Sequence, residues 1–188
     1  SFFGNKTITT GEGGMVVSKD KSIIDRVRYL KNQARISSPS QEYWHVDVGY
    51  NYRMTNICAA IGLSQLEEID SILSKKNQLL LWYRDLLNKC PLTFQLSEKC
   101  SINSFWMVSV LTENKESRDS LKLFLKDKGV ETRSFFSPIH KMPMFYSKES
   151  FPISENLSAR GLNLPSYPDL KKKDVLEICK IIKFFYNT

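Results

Sequence analysis

The sequence predicts an α/β chain in two parts joined by one long helix. Three observations carry this. Alternating β-branched residues flank a glycine cluster near the start, an apolar stripe of helical period runs through residues 55–89, and after Pro91 short strand-like runs alternate with helices.

Residues 1–17 read SFFGNKTITTGEGGMVV. KTITT and MVVS alternate around GEGG, whose glycines supply the positive φ of a tight reversal, and this predicts a hairpin. SIID at 22–25 has the form of a capping box, and Ile23, Val27 and Leu30 share one face of the helix that follows. Residues 35–53 are polar and aromatic without a period, a loop of a length that usually serves function. Within it Tyr43, Trp44 and His45 read either as an active-site loop or as packed aromatics. From Thr55 onward Ile57, Ile61, Leu66, Ile69, Leu73, Leu80, Tyr83 and Leu87 recur near helical spacing. Unbroken, that helix spans about 50 Å, with Asp70 and Ser71 as the place for a bend or restart.

Beyond Pro91, LTFQL and SFWMVSVL predict strands, SRDSLKLFLKDKG a helix closed by Gly129, and VETRSFF another strand. SPIHKMPMFY is a loop, residues 155–160 a short helix, LNLPSYPDL extended, and residues 173–185 the last helix. The chain thus divides into residues 1–53, a connecting helix over 54–90, and an α+β unit over 91–188. A hairpin and one helix cannot bury their apolar faces alone, so further structure is expected upstream of Ser1.

With 188 residues, 41% of them hydrophobic and 12% aromatic, the chain has the composition of a folded protein rather than a disordered one. No apolar run reaches the roughly 20 residues of a membrane span, and a cytoplasmic protein without membrane contact is expected. Cys58, Cys90, Cys100 and Cys179 form no CxxC pair and only two histidines accompany them, which argues against a metal site and for reduced thiols. Twenty-seven basic against 20 acidic residues leave a net charge of +7. The basic residues are scattered, with Lys171–Lys173 the tightest run, so an anionic small molecule is a better partner than nucleic acid.

Lysine is suited to covalent work because desolvation makes its amine nucleophilic. By residue type alone Lys6 reads more simply as a solvated surface side chain, and Ser1 either contacts a phosphate or caps a turn. The longer pattern decides. SFFGNKTITTGEGG fits S-F-x-x-x-K-x-[IL]-T-x-G-E-G-G, and GYNYRMTNICAAIGLSQL at 49–66 fits a second signature, G-x-N-x-R-[ML]-[ST]-[ND]-x-x-A-A-x-G-x-x-Q-L. GVETRSFFSPIHKMPMFY and ENLSARGLNLPSYPDL follow in order. In these four stretches the chain resembles the DegT/StrS-type sugar-nucleotide aminotransferases.

The resemblance implies a pyridoxal 5'-phosphate enzyme of transferase fold type I, aspartate-aminotransferase-like, here the end of the large domain plus the small C-terminal α+β domain. It implies that Lys6 is the Schiff-base lysine and that Ser1 hydrogen-bonds the cofactor phosphate. Asn51 would reach the phosphate of the neighbouring subunit's cofactor, hence a homodimer with shared sites. Relatives that carry histidine in place of this lysine perform deoxygenation, a branch that Lys6 argues against.

The wording of the first, second and third stretches resembles the branch that moves an amino group from glutamate to C4 of GDP-4-keto-6-deoxymannose, for surface polysaccharides. By the same resemblance Arg133 and His140 line the nucleotide-sugar site. Their plainer readings are a carboxylate partner for Arg133 and a brace for the proline-rich loop for His140. Arg53 holds either the loop or the dimer interface, and Glu12 reads as a turn residue rather than a catalytic acid. Chains of this family are about twice as long. The residue that pairs the pyridinium nitrogen and the one that stacks on the ring are expected before Ser1, and these 188 residues alone are expected to be inactive. The alternative is a non-catalytic dimerisation or binding module.

Overall fold

The computed structural model describes residues 1–36, 43–96 and 100–187. They form two compact units, Ser1–Ile69 and Asp70–Thr188.

In the first unit α1 (Lys21–Lys31) begins at Asp20, whose carboxylate accepts the Ser22 N–H at 2.8 Å. Arg28 and Lys31 sit in its last turn, where cations offset the carbonyl end of the helix dipole. The cap lies two residues before the Ser22 of the sequence reading, because the Asp20 carboxylate is the stronger acceptor for a helix-end N–H. α2 (Asn56–Glu67) is capped by Thr55, whose Oγ1 accepts the Cys58 N–H at 3.3 Å.

Two expectations change here. The hairpin of KTITT with MVVS does not form. Phe2 instead donates its N–H to Gly13 O at 2.9 Å and accepts the Thr10 N–H at 3.0 Å, with Phe3 bridged to Gly11. A two-stranded ribbon without a packed face is marginal in water, and Met15, Val16 and Val17 are exposed. The turn closes on residue 2 because Gly11 (φ 81°) and Gly13 (φ 140°) take angles that side chains disfavour. The helix expected over 54–90 is two helices, α2 and α3 (Ile69–Leu86), parted at Glu68. Asp70, in the first turn of α3, suits a new N-terminus.

The second unit is built on an antiparallel sheet of β1 (Thr93–Phe94), β2 (Val108–Leu111), β3 (Arg133–Ser134) and β4 (Gly161–Leu164), in the order β1-β2-β4-β3. The central pair sets Val108 opposite Leu164 and Val110 opposite Leu162, and all four side chains are buried. Onto them pack Leu79, Leu80, Tyr83 and Leu87 of the α3 segment, Leu121 and Leu125 of α4 (Lys115–Asp127), and Val175, Ile178 and Ile182 of α6 (Lys172–Tyr186). α5 (Pro152–Arg160) leads straight into β4, and the buried Arg118 of α4 reaches Ser158 O and Gly161 O at 3.4 and 3.5 Å. α4 follows the amphipathic pattern of its sequence and ends where Gly129 (φ 78°) leaves the helix.

A second buried charge lies on α3. Lys76 of α3 is almost fully buried, and its Nζ donates to Trp106 O at 2.8 Å and Ser166 O at 2.7 Å. Burial lowers its pKa. Tyr83, seven residues on, donates its hydroxyl hydrogen to Pro165 O at 3.1 Å. Replacing Lys76 by Met leaves two carbonyls without their donor, so Lys76→Met is expected to cost about 1–3 kcal/mol. Urea unfolding should show a lower midpoint with unchanged slope.

Candidate cofactor and substrate sites

Lys6 lies on a turn closed by its own N–H, which donates to Phe3 O at 3.0 Å, and its side chain is half-buried. Ser1 is exposed, and its Oγ accepts the Phe3 N–H at 3.4 Å. The residues that follow Lys6 are tied to α2. Thr9 donates its N–H to Gln65 Oε1 at 3.1 Å, and Thr10 is buried against Gly62, where an added Cβ would stand 2.7 Å from Thr10 Cγ2. Gly62 and Gln65 are one helical turn apart, so one face of α2 holds this segment. The signature at 49–66 carries both residues, yet sequence reasoning assigned neither a role.

Asn51 belongs to the same unit and is exposed. Its backbone bridges Asn32 just after α1, Gln33 N–H donates to Tyr50 O at 3.0 Å, and Tyr50 N–H to Leu30 O at 2.7 Å. Gln33 (φ 63°) and Ala34 (φ 51°) both take the left-handed region, which is costly for side-chain-bearing residues. Gly49 holds them there. A Cβ on Gly49 would stand 2.2 Å from both Ala34 N and the Gln33 carbonyl carbon. Arg53 donates to Asn32 Oδ1 at 3.4 Å, so it braces this crossing.

Of the loop over 35–53, residues 37–42 lie outside the described residues. Tyr43 and Trp44 are exposed, Arg35 stands 5.2 Å over the Tyr43 ring, and His45 Nδ1 donates to Gln33 O at 2.8 Å. Asp47 pairs with Arg26 of α1 at 2.7 Å, and that hydrogen bond together with the Val48 N–H holds its carboxyl below the usual range.

Arg133 and His140 belong to the second unit. Arg133 is on the edge strand β3, opposite Asn163, and is exposed; its pairing with Glu131 at 3.4 Å is a surface contact of little energy. Asn163 is buried and its Oδ1 accepts the Ser109 hydroxyl at 2.8 Å. His140 is buried, with Nε2 2.9 Å from Glu155 Oε1. This is the arrangement that the bracing role requires. Glu155 also pairs with Lys141 Nζ at 3.2 Å and accepts the Phe151 N–H at 3.3 Å. Its carboxyl is held below the ordinary range, chiefly by the hydrogen bond to His140. Sequence reading passed over Glu155; the signal was an acid in the first turn of a helix that opens with Pro152.

Among the described residues no group of three or more His, Cys, Asp or Glu could hold a metal, and no helix is long and apolar enough to cross a membrane. Segment 1–11 offers a different donor set: the amine of Lys6 and the hydroxyls of Ser1 and Thr7, with no carboxylate, while the Thr9 and Thr10 hydroxyls donate to Phe2 O and Glu12 O. That set fits a phosphorylated aldehyde.

The profile of the DegT/DnrJ/EryC1/StrS aminotransferase family matches residues 1–183. The chain is 48% identical over its whole length to 51% of the GDP-perosamine synthase of Escherichia coli O157:H7, and 45% identical to 52% of that of Vibrio cholerae. It spans about half the length of these curated relatives. Among solved structures it is similar to Helicobacter pylori PseC, an aminotransferase involved in the biosynthesis of pseudoaminic acid, with a TM-score of 0.89 at 22% identity over 100% of this chain and 53% of that one.

Gly49→Ala drives a Cβ into backbone that cannot yield and is expected to cost about 1–3 kcal/mol, with faster amide exchange at Gln33 and Tyr50. The depressed Glu155 pKa has a sign too. Its contribution is complete above the ordinary value of 4.5 and is lost as pH falls through the lower folded value. Exchange at the Phe151 amide, corrected for intrinsic rates, should therefore hold steady down to pH 5 and quicken only on further acidification.

Proposed function

Because this chain belongs to the DegT/DnrJ/EryC1/StrS aminotransferase family, we propose that it is part of an enzyme that moves an amino group from glutamate to a 4-keto-6-deoxy nucleotide sugar. The proposed substrate is GDP-4-keto-6-deoxymannose and the product GDP-perosamine. The end-to-end identity of 48% with a GDP-perosamine synthase is the observation that carries the reading. The family's cofactor is pyridoxal phosphate, which supplies an electron sink when bound.

Lys6 would hold the cofactor covalently, and its Nζ would carry the proton taken from the Cα of the donor. The α2 contacts at Thr9 and Thr10 limit how far the backbone next to Lys6 can move while that proton is carried. The Ser1 hydroxyl would donate to the phosphate; its Oγ accepts the Phe3 N–H, which leaves the hydroxyl hydrogen for that contact. Asn51 serves the phosphate of the other subunit in a homodimer, and the Gly49 crossing fixes its backbone. Arg133 offers an exposed guanidinium to the diphosphate of the substrate. His140 contributes from the loop that Glu155 holds. In this reading residues 1–53 close the large domain, 54–90 connect, and 91–188 form the small domain of a cytoplasmic enzyme for surface-polysaccharide synthesis.

Borohydride reduction of the full-length protein followed by peptide mapping tests the assignment. A phosphopyridoxyl group on Lys6 is expected, and Lys6→Ala should remove it together with at least about a thousandfold in kcat. An unlabelled Lys6 overturns the reading. Conversion of GDP-4-keto-6-deoxymannose with glutamate, followed by mass, tests the substrate.

A further inference from the structure

Residues 136–151 join β3 to α5 with two 3-10 turns, Ile139–Lys141 and Pro143–Phe145, and no longer helix or strand. Phe136, Ile139, Met144, Phe145 and Tyr146 are all exposed, so this segment has little apolar packing of its own to fix it. Phe136 stacks on Trp106 at 6.3 Å between centroids. One carboxylate gathers three donors from the rest. Glu155 Oε1 takes His140 Nε2 at 2.9 Å and the Phe151 N–H at 3.3 Å, while Oε2 takes Lys141 Nζ at 3.2 Å. These donors come from both ends of the segment 140–151. The His140 ring packs 4.7 Å from that of Phe151, and His140 O accepts the Ser147 N–H at 3.1 Å, which closes the loop on itself.

We propose that Glu155 is a positioning residue: through His140, Lys141 and the Phe151 N–H it sets the pose in which the side chains of residues 142–146 meet the nucleotide sugar, a role that rests on the aminotransferase reading above. The chemistry of the loop suits that ligand. Exposed aromatic and thioether side chains offer apolar faces to a sugar ring or base, and Arg133, three residues before Phe136, supplies a cation for the diphosphate. Glu155 itself touches neither. Its three donors occupy both carboxylate oxygens, so its effect passes through the loop.

The test uses the full-length enzyme with Glu155→Gln, Glu155→Asp and Lys141→Ala. Glu155→Gln keeps the size of the side chain but loses the charge that holds Lys141. It is expected to raise KM for the nucleotide sugar about tenfold, the loss of one charged hydrogen bond, with kcat within about twofold and KM for glutamate unchanged. Amide exchange at Ser147 and Phe151 should quicken by a similar factor, and Lys141→Ala should give a smaller change of the same kind. Glu155→Asp, which restores the charge, should recover part of the KM. Should Glu155→Gln fail to fold, Lys141→Ala supplies the same readouts.

Faster exchange with unmoved KM overturns the positioning role, and so does unmoved exchange. Borohydride labelling of Lys6 in the wild type is scored in the same preparation. Its absence overturns the aminotransferase reading, whereas normal labelling with an unmoved nucleotide-sugar KM overturns the role of Glu155 alone.

Discussion

A single ammonium sits where three segments of the second unit meet. Lys76 reaches from α3 to the carbonyls of Trp106, just before β2, and Ser166, just after β4. β2 and β4 are antiparallel neighbours, so these carbonyls lie at one end of the central pair. They lie beyond the ladder, and Lys76 donates to both. Ser166 completes the junction, since its Oγ accepts the Val108 N–H at 2.8 Å. Tyr83 adds a second tie to the same strand end, two helical turns along the buried stripe of α3. Apolar packing alone would let a helix slide or rotate on a sheet at small cost. Three directed hydrogen bonds, from two residues seven positions apart, favour one rotation.

The register that follows reaches the proposed substrate residue. With β2 and β4 locked, Ser109 faces Asn163, and Asn163 in turn faces Arg133 on the edge strand. Asn163 is buried in a strand whose four residues are all buried, and the Ser109 hydroxyl satisfies its Oδ1. A slip of one residue would place a leucine in this row and send Asn163 into the apolar face. Arg133 is placed by the β3–β4 register, against the strand whose other edge Lys76 and Ser166 hold from outside the ladder.

The first unit holds its proposed cofactor residues by steric means. Gln33 and Ala34 are kept left-handed by Gly49, and Thr10 is met closely at Gly62. Both contacts lie inside or beside the signature at 49–66, and they explain two of its glycines as close approaches rather than turns. This shows where the sequence was readable. The signature pointed to the family whose profile matches residues 1–183, because a long pattern is specific even when each residue is common. α4, α5 and α6 were each legible as helices, although α5 begins at Pro152, three residues before the reading placed it. β4 read only as extended, because a strand buried on both faces shows no alternation and Pro165 follows it. The hairpin over residues 6–18 was misread because alternation reports a preference for extended backbone and says nothing of which partner is near. Lys76 and Gly49 had no readable signal of their role, since each acts on backbone distant in sequence.

Glu155 shows why a polar anchor suits this particular loop. A loop whose large apolar side chains point outward cannot also use them as ballast, so its pose must come from its backbone and from the few side chains turned inward. His140 and Lys141 are adjacent in sequence and donate to different oxygens of the same carboxylate, which fixes the direction of the chain there as well as its place. The Phe151 N–H brings the far end to the same point. An apolar anchor of equal burial would resist withdrawal but not rotation, and a neutral amide could answer two of the three donors but not the charge of Lys141. One carboxylate on the first turn of α5 meets all three demands. Because α5 runs directly into β4, the loop inherits the placement of the strand that Lys76 holds.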